Sequence, residues 1–276
     1  MHYQTYGEPT GRTVFYLHGT PGAPEEAAWL AAAAQANSLR ILALQRDSLD
    51  LRVQGEAYIA ELTAQVLRLA GEQPVHLLGF SIGASLALRV AAQLPTPAAG
   101  VWLVSAAAPL EWPASWQGMG AGRYTFVMAQ KYPRLFRLVG AYQGWLARHC
   151  TGLLLGTLFQ GARGADASLL GQAAAREQLR HVQQQAFAGG AGAYLRDVRA
   201  YVEPWSACVP RVRAPLQLWH GDQDNWAPVT MLQGLLENFT APAQVHWLAG
   251  RSHYSCLIDA AHPLCEQLAA SFSATK

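Results

Sequence analysis

The sequence predicts an α/β fold in which a mostly parallel sheet is covered on both faces by helices. Three observations carry this. Short, nearly continuous apolar runs end at turn residues; helical periodicity fills the intervals; and the alternation breaks off once, near Ser105, to resume near Pro215. Runs of that kind suit strands buried on both faces.

The runs are VFYLHG at 14–19, RILALQ at 40–45, VHLLGF at 75–80, GVWLVS at 100–105, PLQLWHG at 215–221 and QVHWLAG at 244–250. Between them, Glu25 to Asn37 is alanine-rich, with Pro24 placed as a first-turn proline. From Glu56 to Leu69, Ile59, Leu62, Val66 and Leu69 recur at helical spacing. Ile82 to Leu94 repeats the pattern, and Ala260 to Phe272 reads as a last helix.

The interruption differs in composition. Between Leu110 and Pro204 there are ten Lys/Arg against five Asp/Glu, while the rest of the chain carries ten against thirteen. It includes MAQKYPRLFRLVGAYQGWLARH and AREQLRHVQQQAF, which read as helices. The expected organisation is a core from 1–109 and 206–276, with a helical insertion at 110–205.

Composition bounds the function. The 276 residues are 51% apolar and 14% charged, which excludes a disordered chain. The net charge of +2 gives no reason to invoke nucleic acid. The longest charge-free stretch, Val90 to Leu110, is broken by Pro95, Pro97, Gly100 and Pro109, so no membrane span is expected. The N-terminus has neither the basic start nor the apolar core of a signal peptide, and a cytoplasmic location is expected. Cys150, Cys208, Cys256 and Cys265 have no metal-ligand spacing and read as reduced thiols. No metal or organic cofactor is implied.

Gly79-Phe80-Ser81-Ile82-Gly83 is a GxSxG pattern between an expected strand and an expected helix, the setting of a nucleophile elbow. Gly79 and Gly83 flank a sharp turn where a β-carbon would crowd the neighbouring chain. The competing reading is a Gly-rich turn that only packs.

A serine hydroxyl needs a base, and the base needs an orienting carboxylate. His253, in AGRSHYS, follows the last expected strand in a loop that can reach Ser81. Asp224, in HGDQD, is the expected acid. Asp222 is its rival, although its nearness to the strand end suits it better to bonding loop amides. A tetrahedral oxyanion needs two N–H donors. The amide of Ile82 supplies one. The loop His18-Gly19-Thr20-Pro21-Gly22 supplies the other through Thr20, since Pro21 has no N–H. His18, with Gly19 and Gly22, is read as loop support.

HGTPG at 18–22, GFSIG at 79–83, HGDQD at 220–224 and GRSHY at 250–254 together resemble the α/β-hydrolase superfamily, in family order and across nearly the whole chain. The segment AFAGGAGAYLRDVRAYVEPW resembles cap-bearing bacterial members. The resemblance implies an eight-stranded, mostly parallel sheet with the insertion as a helical cap above Ser81. Two departures stand out. Gln45-Arg46-Asp47 replaces the D-R-P-G-type turn of many relatives, and GFSIGA differs from the GGSWGS elbow of proline iminopeptidases. Ser81 at the nucleophile position disfavours epoxide hydrolases and haloalkane dehalogenases, which carry Asp there.

The expected activity is cleavage of a small or medium carboxylic ester through an acyl-enzyme. The alternatives are a thioesterase or acyltransferase on a carrier-bound acyl group, a carbon–carbon bond hydrolase or lyase, and a non-catalytic binding module. In the insertion, Trp112, Trp116, Tyr124, Phe126, Tyr132, Phe136, Tyr142 and Trp145 are either pocket wall or glue between helices. Lys131, Arg134 and Arg137 are either a solvated face or a dock for an anionic acyl carrier.

Overall fold

A computed structural model describes residues 1–272. The chain runs β1 (His2–Gly7), β2 (Arg12–Leu17), a 3-10 stretch at Pro24–Leu30, α1 (Ala31–Ala36), β3 (Leu39–Gln45), α2 (Gly55–Ala70), β4 (His76–Phe80), α3 (Ile82–Gln93) and β5 (Gly100–Val104). A helical segment follows, with α4 (Gly122–Lys131), α5 (Pro133–His149), α6 (Thr151–Leu158), a 3-10 stretch at Gly164–Gly171, α7 (Ala173–Ala186) and α8 (Gly192–Val202). The chain then returns through β6 (Leu216–Gly221), α9 (Val229–Asn238), β7 (Ala243–Leu248) and α10 (His253–Ser271).

The strands form one seven-stranded sheet in the order β1-β3-β2-β4-β5-β6-β7. Only β1 is antiparallel, paired with β3. Successive side chains point to opposite faces. Phe15, Leu17, Leu77, Val101 and Leu103 therefore enter one core with α2, α3 and α9. Val14, Tyr16, Leu78, Trp102 and Val104 enter the other, with α1 and α10. Both faces of the inner strands β2 to β6 are buried, which is why their sequences read as continuous apolar runs.

From β2 the chain steps outward to β3 and then crosses back to β4 on the other side of β2. The loops after β2 and β4 therefore diverge at the sheet's carboxyl edge, where open α/β sheets form binding crevices.

Three expectations are corrected. Among the described residues the sheet has seven strands, not eight. One of the seven, β1, carried no sequence signal because it is a polar, half-exposed edge strand (HYQTYG). The alanine-rich stretch is a 3-10 turn followed by a six-residue helix. The last helix starts at His253, seven residues before the expected Ala260, and runs on through Pro263. A capping box between Ser252 and Ser255 fixes that start.

Candidate active site

Ser81 sits between β4 and α3 with φ 57° and ψ −127°, a left-handed conformation that non-glycine residues seldom adopt. The turn is tight on both sides. A β-carbon on Gly83 would strike the carbonyls of Leu17 and His18, and one on Gly79 would meet the backbone of Ala84. The two glycines thus let α3 approach β4 and β2 closely enough to project Ser81 above the sheet.

The imidazole of His253, in the first turn of α10, lies between Ser81 and Asp224. Its Nε2 is 2.8 Å from Ser81 Oγ, and its Nδ1 is 2.8 Å from Asp224 Oδ2. The other carboxylate oxygen, Oδ1, accepts the amides of Trp226 (2.8 Å) and Ala227 (2.9 Å), which fixes the acid's orientation. Asp222 points elsewhere and accepts the amide of Gly250 at 2.8 Å. Burial pushes the His253 pKa down. The charge and hydrogen bond of Asp224, with Asp166 and Glu26 farther off, outweigh burial and leave it above 6.5. Burial pushes the Asp224 carboxyl up, but His253 and its hydrogen bonds bring it below its ordinary value. Such a chain can pass a hydroxyl proton to the imidazole.

The loop after β2 faces Ser81. Thr20 and Ile82 both border the cavity above the serine. Among the described residues neither backbone N–H has a protein acceptor. His18 is buried beneath, with its Nδ1 2.9 Å from the Gly19 carbonyl. Burial, and then the charge of Arg46, hold its pKa well below 6.5. Gly19 donates to Glu26 Oε1 at 2.8 Å. A β-carbon on Gly22 would strike the Gly19 carbonyl.

Several residues that hold this site carried no sequence signal of a role. Arg46 is fully buried; Nη1 donates to the His18 carbonyl (2.6 Å), and Nη2 to the Gly19 carbonyl and to Thr20 Oγ1 (both 3.0 Å). Its charge is met by Asp197 of α8, 2.8 Å away, which also accepts the Tyr58 hydroxyl at 2.9 Å. The arginine of the Gln45-Arg46-Asp47 turn therefore points inward and pins the loop. Asp166, also buried, accepts the amides of Tyr254 (2.9 Å) and Ser255 (2.7 Å) at the start of α10. Its carboxylate complements the positive end of the helix that carries His253. Glu26 lies under the loop with its carboxyl pushed up to about 7, chiefly by burial. His220, at the end of β6, lies near Asp224 and is hydrogen-bonded to the Ala227 carbonyl.

Above Ser81 the cavity has two lobes that share Thr20, Pro21, Ser81, Leu158 and Trp226. One is walled by Phe126, Gln143, Tyr194, Val198 and Tyr201 of the helical segment. The other is bordered by Phe80, Phe159, His253 and Tyr254. Neither lobe is lined by Lys, Arg, Asp or Glu. Of the insertion's aromatics singled out in the sequence, Phe126 alone lines these lobes. Phe136 is buried and Trp112 and Trp116 pack against the core, whereas Tyr124, Tyr132, Tyr142 and Trp145 are exposed. Lys131, Arg134 and Arg137 are exposed too, and a break at Tyr132 puts Lys131 on α4 and the arginines on α5.

The family whose sequence model matches this chain is described as alpha/beta hydrolase fold; the match spans residues 46–259, and the chain belongs to that family. It is thus a hydrolase by family. Among solved structures it is similar to MenH from S. aureus, at 14% identity and a TM-score of 0.71, with 99% of this chain and 98% of that one covered. It is similar also to a bromoperoxidase from Bacillus anthracis, at 17% identity and a TM-score of 0.70, over 98% and 94% of the two chains. An enol-lactonase from Burkholderia xenovorans matches at 17% identity and a TM-score of 0.68, over 99% and 96%. At these identities the likeness is one of fold. No curated protein matches the chain in sequence. Among the described residues no helix is long and apolar enough to cross a membrane, and no group of three or more His, Cys, Asp or Glu is placed to hold a metal ion.

Proposed function

We propose that this hydrolase cleaves a neutral carboxylic ester through an acyl-enzyme. The observation that carries the reading is the continuous hydrogen-bonded chain from Ser81 through His253 to Asp224, with 2.8 Å at both links. In this reading Ser81 Oγ attacks the ester carbonyl while His253 Nε2 takes its proton. Asp224 holds the Nδ1–H tautomer and stabilises the imidazolium. The amides of Thr20 and Ile82 hold the oxyanion. His253 then protonates the leaving alkoxide, and a water activated by the same imidazole releases the acid. The helical segment acts as a cap, and its apolar wall receives the acyl chain.

The absence of charged side chains around both lobes supports a neutral substrate over an anionic one. The lactonase among the structural neighbours makes cyclic esters worth including in the test. A panel of esters, lactones, thioesters and amides, each run with a Ser81→Ala control, is expected to give its fastest Ser81-dependent turnover on an uncharged ester or lactone. Faster turnover of a thioester or amide would overturn the substrate assignment.

The same substrate gives a pH profile. The base works only when neutral, and its pKa lies above 6.5. Activity is therefore expected to rise with pH through a midpoint above about 6.5. Glu26 ionises near 7, and its negative charge opposes loss of the His253 proton, so the rise should be shallower than a single ionisation. A chemistry-limited rate that is flat between about pH 5 and 8 would remove His253 as the base.

A further inference from the structure

The outer side of the helical segment is unlike the rest of the surface. Ten large apolar side chains of the described residues are exposed, and seven of them lie between Tyr124 and Leu153. On α5, Leu135, Leu138, Tyr142 and Trp145 are spaced by three, four and three residues and so share one helix face. Leu138 is 70% exposed and Trp145 47%, and the rings of Tyr142 and Trp145 stack 6.2 Å apart. Tyr132 precedes this helix, and Leu153 continues the apolar surface on α6, which packs against it. The opposite face of α5 is accounted for, since Phe136, Gly140, Gly144 and Ala147 are buried. Monomeric proteins rarely leave so many large apolar groups together in water.

The segment that forms this face carries charge of one sign. From Trp112 to Ala165 there is no Asp or Glu, while Arg123, Lys131, Arg134, Arg137, Arg148 and Arg163 lie within the same span. Arg134, Arg137 and Arg148 flank the apolar stripe on α5 and are exposed. We propose that α5 and its neighbours form a peripheral docking face for an anionic lipid surface. Trp145, Tyr142, Leu138 and Leu135 enter the headgroup boundary, and the flanking cations meet lipid phosphates. A second copy of this chain fits less well. A two-fold interface sets a patch against itself, and here that opposes Arg134, Arg137 and Arg148 to their own copies, with no acid on α4, α5 or α6 to offset them.

The docking face and the cavity above Ser81 share their walls. Phe126 of α4, Gln143 of α5 and Leu158 of α6 point into the cavity, while the other side of the same helices carries the exposed apolar groups. A neutral ester dissolved in a bilayer would meet the protein on this side. That last link rests on the ester hydrolase reading; the lipid contact does not.

The test is co-sedimentation of the full chain with vesicles of phosphatidylcholine alone and of phosphatidylcholine with phosphatidylglycerol in equal parts. Wild type is expected to bind the mixed vesicles and to lose most binding without the anionic lipid. Replacing Leu138 and Trp145 together by Glu should weaken binding about tenfold or more. Replacing Arg134 and Arg137 by Gln should weaken it about fivefold per charge and blunt the effect of added salt. These side chains are exposed, so the melting temperature should not change, and a drop in it would be corrected for by comparing folded fractions. Failure of wild type to sediment with mixed vesicles would overturn the proposal, as would equal binding by the Leu138 and Trp145 variant. A concentration-dependent dimer that Leu138→Glu disperses, with no vesicle binding, would assign the face to a second copy instead.

Discussion

Replacing Ser81 or His253 by Ala is expected to lower kcat by about four to six orders of magnitude while leaving the fold intact. Asp224→Asn is expected to cost about four orders. Its Oδ1 position can still accept the amides of Trp226 and Ala227, so the loop keeps its shape. The amide that replaces Oδ2 forces the wrong tautomer on His253 and removes the charge that steadies the imidazolium. Asp222 serves as the control because it accepts only the exposed Gly250 amide. Asp222→Asn should leave kcat within a few-fold of wild type, and if it proved the worse lesion, the acid would have to be reassigned.

The second large effect is expected at Arg46 and Asp197. Arg46 is a buried cation whose donors pin the loop bearing Thr20, and Asp197 is its buried counter-charge. Asp197 also lies 3.6 Å from the buried Arg196, so removing Asp197 strands two cations in the interior and should destabilise the protein by about 3–5 kcal/mol, read as a lower urea midpoint. Replacing Arg46, Arg196 and Asp197 together by Met, Met and Leu removes all three charges, and stability should largely return. Activity should not return with it. Without the guanidinium the His18 and Gly19 carbonyls are unpinned, and a loosened oxyanion loop is expected to cost about a hundredfold in kcat. Full activity in the triply apolar variant would show that Arg46 serves stability alone.

These pairs also mark where sequence reading stopped. The strands from β2 to β6 were legible because burial on both faces demands continuous apolar runs; β7, a half-exposed edge strand, was legible from its Val245, Trp247 and Leu248. The loops after β2, β4, β6 and β7 were legible because each carries its own local signal of glycine and polar residues. β1 was missed because an edge strand facing water on one side has no such run. The α10 start was missed because His253 and its neighbours read as a loop, and the capping box at Ser252 involves short polar side chains typical of loops.

Arg46 with Asp197 and Asp166 with Tyr254 were invisible for another reason. Their partners lie 151 and 88 positions apart, and nothing local distinguishes a buried aspartate from a solvated one. Both pairs tie the helical segment to the loops of the candidate site, so the segment's fold carries information that its composition did not. The exposed aromatics of α5 went the other way. Their density read as pocket wall or glue, yet their spacing puts Tyr142 and Trp145 on the outer face.

In the proposed mechanism Ser81 is a nucleophile activated by His253. Intact-protein and peptide mass spectrometry after exposure to a fluorophosphonate tests it most directly, because the reagent traps an activated serine without knowledge of the substrate. One adduct per chain is expected, on the peptide containing Ser81, absent in Ser81→Ala and greatly slowed in His253→Ala. An adduct on another residue, or labelling of wild type no faster than of His253→Ala, would contradict it.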